Sequence, residues 1–78
     1  MANVKVYSTP TCPYCKMAKN YLSENNIPFE DVDVSVSQTA AQDMISRSGQ
    51  MGVPVIDIDG QIIVGFDRAK IARILNLK

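Results

Sequence analysis

Histidine is absent from all 78 residues, and with it goes every Cys/His or Ser/His nucleophile system and any Cys/His zinc site completed within one chain. An excess of either charge is lacking too: eight Lys and Arg face eight Asp and Glu, which excludes a strongly basic nucleic-acid binder. No apolar run approaches the length of a membrane span. Met1-Ala2-Asn3 leads into Val4-Lys5-Val6-Tyr7 rather than a basic patch and a long apolar stretch, so neither a membrane partner nor a targeting segment is expected. Cysteine is scarce, with Cys12 and Cys15 only three positions apart. A bridge between them would constrain little of the unfolded chain, about 2 kcal/mol on chain-entropy grounds and less if strained. The expectation is a cytoplasmic protein in which such a pair does redox or metal work rather than stapling.

What is present is enough for one small folded unit, residues 1–78, since 46% of the chain is hydrophobic. The zero net charge is a sum of unlike parts. Lys5, Lys16 and Lys19 give +3 before residue 24; seven acids from Glu24 to Asp59 against Arg47 give −6; the tail from Gly60 returns to +3. Both cysteines lie in a positive segment.

Hydrophobic periodicity orders the chain. Asn3 to Ser8 alternates as a strand does and is ended by Thr9-Pro10-Thr11. Met17, Ala18, Tyr21 and Leu22 then recur at helical spacing, with Thr11 expected as N-cap, Pro13 in the first turn and Asn25-Asn26 as the stop. Pro28 opens a second strand in which Val32 and Val34 alternate with Asp31 and Asp33. Ser35-Val36-Ser37-Gln38 offers caps, including a Ser-x-x-Gln box, for a helix with apolar face Ala40, Ala41, Met44 and Ile45, which Gly49 ends. Val53–Ile58 and Gln61–Val64 flank Asp59-Gly60, a strong hairpin signal. Asp67 is placed to cap a last helix burying Ile71, Ala72 and Leu75. The order β-α-β-α-β-β-α predicts an α/β fold: a right-handed parallel unit, then an antiparallel hairpin, in one four-stranded mixed sheet flanked by helices. Ligands of such sheets bind where strand ends meet helix N-termini, and Cys12 falls there.

In Thr11-Cys12-Pro13-Tyr14-Cys15-Lys16, free backbone N–H groups and the positive helix end favour a thiolate at Cys12. Lys16, Lys19 and the lack of any acid before Glu24 push the same way, while the helix shields Cys15. Half of a structural metal site is the competing reading, but a second cysteine or histidine pair is missing, so only an intermolecular site could close.

Three motifs together, Thr11-Cys12-Pro13-Tyr14-Cys15 after a Val-x-Val-Tyr strand, Gly52-Val53-Pro54, and Gly65-Phe66-Asp67, resemble the glutaredoxins, and the likeness runs over essentially the whole chain. It is nearest the short bacterial glutaredoxin-like proteins, which grade into the small redoxins serving ribonucleotide reductase. The resemblance implies a thioredoxin-like fold and thiol–disulfide exchange. Cys12 matches the nucleophile that attacks glutathionylated or disulfide-containing proteins. Cys15 matches the resolving thiol that closes a Cys12–Cys15 disulfide, and glutathione, as co-substrate, regenerates the dithiol. No permanently bound cofactor or metal is implied, and a monomer is expected. Val53-Pro54 match the family's cis-proline segment, where the backbone before the proline pairs with an extended glutathione or peptide. Phe66 and Asp67 match positions that hold the γ-glutamyl end, and Tyr14 an aromatic flanking the tripeptide.

Departures accompany the likeness. Thr9 stands where the family commonly has a lysine, Gly52 where a threonine precedes Val-Pro, and Met51 where a basic residue is frequent. Val64-Gly65-Phe66-Asp67 replaces Gly-Gly-Cys/Ser-Asp, and Gly-Phe here is also a feature of redoxins reduced by thioredoxin reductase. Two further readings follow: a thioredoxin-reductase-driven redoxin donating electrons to ribonucleotide reductase or another reductase, and a dimer sharing an iron–sulfur cluster or zinc through Cys12, against which Pro13-Tyr14 argues.

Overall fold

A computed structural model describes residues 3–50 and 52–76. The elements follow the expected order: β1 (Val4–Ser8), α1 (Pro13–Glu24), β2 (Glu30–Asp33), α2 (Gln38–Ser48), β3 (Val55–Ile58), β4 (Gln61–Val64) and α3 (Arg68–Leu75). The strands form one sheet in the order β2-β1-β3-β4, with β1 and β2 parallel and the other pairs antiparallel. The parallel unit takes α1 as its crossover, and the hairpin turns at Asp59 and Gly60, both with positive φ (51° and 90°), as a tight two-residue connection requires.

Strand alternation sorts the core into two layers. Val4, Val6, Ile56, Ile58 and Ile63 face α1 and α3, where Ala18, Leu22 and Ile71 complete a buried cluster. Tyr7 and Val55 face α2 and pack on Met44. On that second face Tyr7 Oη donates to Asp43 Oδ2 at 2.6 Å. Arg47 bridges Asp43 and the buried Asp57, both at 3.1 Å, so a short polar chain pins α2 to the sheet. Burial and then the Asp43 carboxylate push the Tyr7 hydroxyl up to about 12, which keeps it a donor throughout the ordinary pH range.

Local capping departs from expectation at the start of α1, and at α2 it takes the second of the two serines offered. The cap of α1 is Cys12, not Thr11. The Cys12 N–H closes a turn on Thr9 O (3.4 Å), which carries the chain past Thr11 before the helix begins, and Cys12 has extended geometry (φ −91°, ψ 112°). The cap of α2 is Ser37, whose Oγ accepts from Ala40 N at 3.2 Å. Ser35 is taken by Asp33, which accepts from both its N–H and its hydroxyl. Val34 lies just past β2, its N–H bonded to Ser8 O (3.0 Å), and the third strand starts at Val55 rather than Val53. Met17 and Ile45, expected on apolar faces, are exposed because a sheet of four short strands does not reach under the flanks of its helices. Leu22, in contrast, is fully buried. Leu22→Ala should therefore cost about 3 kcal/mol in urea unfolding, whereas Val36→Ala, at an 81% exposed position, should leave the midpoint within experimental scatter.

Candidate active site

The strand-to-helix junction after β1 presents one sulfur and hides the other. Cys12 is partly exposed at the N-cap, and its Sγ accepts the backbone N–H of Cys15 at 3.2 Å. Pro13 occupies the first helical position, where no N–H is needed. Cys15, one turn on, is completely buried. Burial above all, then its hydrogen bond to Cys12, pushes the Cys15 thiol up to about 11, while the Thr9 backbone N–H and the Lys19 charge oppose the rise. Both cysteines are free thiols.

A second segment closes on the first. The Val53–Pro54 peptide is cis, and the Val53 carbonyl oxygen lies 3.9 Å from Cys12 Sγ, within reach of a weak S–H donor. Pro54 is buried, and its carbonyl accepts from Gly65 N at 2.8 Å, which ties the turn before α3 to the same end of the sheet. Gly65 sits there with φ 80°, a conformation that side chains resist. Phe66 packs edge-on to Tyr21 of α1 (centroids 6.1 Å apart), and Arg68 lies over the same ring at 5.6 Å. Asp67 caps α3, its Oδ1 accepting from Lys70 N at 3.1 Å.

Cys12, Val53, Pro54 and Gly65 thus converge, with Phe66 and Asp67 following in the chain. Thr9 contributes backbone to the junction, Gly52 is exposed beside Val53, and Tyr14 projects into solvent at 62% exposure. Met51 lies outside the described residues. Lys16 is exposed on α1. Lys19 is not free to face Cys12: its ammonium is held by Asp31 Oδ2 at 3.1 Å and Ser8 Oγ at 3.4 Å, and Ser8 donates to Asp31 Oδ1 at 2.8 Å. Ser8 and Asp31 were not anticipated as neighbours of the cysteines. The signal was there in spacing: Lys19 falls four residues after Cys15 on the buried stripe Cys15-Ala18-Leu22, and Asp31 pairs with Val6 on the strand face that also carries Ser8.

Comparison with known proteins shows the family. The glutaredoxin family model matches residues 4–63. The chain belongs to the glutaredoxin family. It is 53% identical over 72 residues to a glutaredoxin-like 8.6 kDa protein in the rubredoxin operon of Clostridium pasteurianum, covering 92% of this chain and 96% of that one. It is 43% identical over 67 residues to glutaredoxin 3 of Escherichia coli, covering 86% and 81%. Among solved structures, a mutant of the thioredoxin-like protein BC3987 superposes over 100% of both chains at TM-score 0.92 and 31% identity. The fold is the thioredoxin-like fold of glutaredoxins, and the family's activity is thiol–disulfide exchange. Among the described residues no helix is long and apolar enough to cross a membrane.

The two sulfurs should therefore differ in reactivity. A Cys12→Ser variant, which keeps the buried Cys15 alone, should alkylate slowly with iodoacetamide at pH 8 and react faster only as the pH climbs toward 11, because burial, the largest cause of its raised pKa, survives the substitution. Rapid alkylation at pH 8, followed by mass spectrometry, would contradict the burial assigned to Cys15.

Proposed function

We propose that this chain is a dithiol glutaredoxin that reduces glutathione mixed disulfides and protein disulfides, using glutathione as co-substrate and no resident cofactor. The observation that carries the reading is the pairing of a partly exposed Cys12 sulfur, facing the Val53 carbonyl, with a wholly buried Cys15 one turn behind it. In the first step the Cys12 thiolate attacks a substrate disulfide, the S–S bond breaks, and one half leaves as a thiol while the other stays on Cys12. With a glutathionyl group on Cys12, a second glutathione restores the thiol and departs as glutathione disulfide. With a protein on Cys12, Cys15 displaces it, the Cys12–Cys15 disulfide forms, and two glutathiones reopen it.

The tripeptide would lie across this arrangement. Its cysteine backbone would lie along Val53-Pro54, and its γ-glutamyl carboxylate and ammonium would meet the N-terminus of α3 and the Asp67 carboxylate. Tyr14, exposed beside Cys12 in sequence, supplies an apolar flank.

A second reading keeps the chemistry and changes the electron source to thioredoxin reductase. Thr9 in place of a lysine removes one partner for a glycyl carboxylate, and the Gly65-Phe66 pair packs its aromatic ring edge-on to Tyr21 instead of offering a polar group. Reconstitution separates the two. With a glutathione mixed disulfide as substrate, NADPH consumption should require glutathione and glutathione reductase, and turnover with thioredoxin reductase alone would favour the second reading. Cys12→Ser should abolish turnover in either system, whereas Cys15→Ser should retain deglutathionylation and lose reduction of protein disulfides.

A further inference from the structure

The resolving step asks most of the least accessible group in the site. Cys15 must lose its proton to attack the Cys12 sulfur of a mixed disulfide, yet its thiol is completely buried. Few charges face it. On its own helix stand Cys12 and, one turn further on, Lys19; β2 contributes Asp31 and Asp33, both within the field of Lys19; β1 contributes only the neutral Ser8; Asp57 of β3 points to the α2 face, and Arg68 of α3 is engaged with Tyr21.

Lys19 stands out in this set. It lies on the buried stripe of α1, its side chain is only 24% exposed, and it is clamped by Asp31 and by Ser8, itself buried at 2% exposure. A lysine on a helix surface ordinarily extends into water. This one is turned inward and fixed at both a carboxylate and a hydroxyl, in the segment that carries the two sulfurs.

We propose that Lys19, held in place by Asp31 and Ser8, is the positioning cation of the resolving step, favouring the Cys15 thiolate that attacks the mixed disulfide on Cys12. The proposal rests on the reading of Cys12 as the attacked sulfur. In the step itself, Cys15 releases its proton to solvent and its sulfur forms a bond to Cys12 Sγ. The bond from Cys12 to the substrate sulfur breaks, and the departing thiolate takes a proton from solvent, so that Cys15 is oxidised, Cys12 stays at the disulfide level and the substrate sulfur is reduced. The cation raises the thiolate fraction, and the accompanying loss of nucleophilicity offsets only part of that gain. The Ser8 hydroxyl and an oxygen acceptor at position 31 hold the ammonium, a role an amide also fills, while the negative charge of Asp31 tempers the ammonium's effect, so the pair sets rather than maximises the resolving rate.

Stopped-flow reaction with Ellman's reagent isolates the step. The first thionitrobenzoate is released as Cys12 is captured, at a rate proportional to reagent. The second is released as Cys15 displaces the group from Cys12, at a rate independent of reagent. Lys19→Gln should slow the second phase about threefold at pH 7 and move its pH–rate profile to higher pH, with the first phase unchanged. Lys19→Arg should restore the second phase, and Asp31→Asn should accelerate it, an opposite sign that a merely structural loss would not produce. Second phases that coincide for wild type and Lys19→Gln, or that slow in proportion to the first, would overturn the proposal. If Lys19→Gln does not fold, an Asp31→Asn second phase that is unchanged or slower would overturn it equally. The Cys15→Ser protein guards the underlying reading. It should release its one equivalent at the wild-type first-phase rate, and a slow or absent release from that variant would instead refute the assignment of Cys12 and Cys15 to their two roles.

Discussion

One hydrogen bond organises the active end of this protein: the Cys15 N–H to the Cys12 sulfur, 3.2 Å, closing the first turn of α1. Helix caps are ordinarily oxygens of Ser, Thr, Asp or Asn, because they are strong acceptors of the otherwise unpaired N–H groups. A sulfur does this poorly as a thiol and well as a thiolate, since a charged acceptor strengthens the bond and the positive helix end adds to it. The same geometry that starts the helix sets the Cys12 sulfur against its first free N–H groups. It also dictates the place of Cys15, one turn inward, where the core of the sheet buries it. Exposure of one sulfur and concealment of the other follow from where α1 begins.

The rest of the fold supports that junction from two sides. On one side, the Pro54 carbonyl to Gly65 N–H bond draws the segment before β3 and the turn before α3 together, with the Val53 carbonyl 3.9 Å from the Cys12 sulfur. On the other, the Ser8, Asp31 and Lys19 cluster links the end of β1, strand β2 and helix α1 beneath the cysteines. The positive charge concentrated in the N-terminal segment is thus partly neutralised by the acidic middle segment. Lys16 stays exposed on α1, while Lys19 is turned to internal use.

Much of this was legible in the residues, and the reasons for what was not are local. The element order followed from period-2 and period-3.6 alternation, and Asp59-Gly60 marked its hairpin because both residues accept positive φ. Cys12, Val53, Pro54 and Gly65 lie together at one end of the sheet. Thr11 looked the better cap on oxygen chemistry, but the turn closed by Cys12 on Thr9 delays the helix by one residue, a competition between neighbouring hydrogen bonds that composition does not reveal. Ser35 lost its capping role in the same way, to Asp33. Met17 and Ile45 fit the helical period yet stand exposed, since periodicity fixes the direction of an apolar face but not the width of the sheet beneath it. Lys19 was the subtler case. Its partner Asp31 lies twelve residues away and arrives only through the parallel pairing of β1 and β2, so a charge that seemed free in its own segment is spent elsewhere.

On the proposed reading Cys12 forms the mixed disulfide and the bound tripeptide lies between the Val53-Pro54 segment and the start of α3. The most direct test is to treat the Cys15→Ser protein with glutathione disulfide and compare amide chemical shifts of the adduct with those of the free protein. A single stable adduct on Cys12 is expected, with the largest shift changes at Cys12, Val53 and residues 65–67. A protein that forms no adduct, or an adduct whose shift changes stop at the Cys12 turn and leave Val53, Gly65 and Asp67 unmoved, would contradict it.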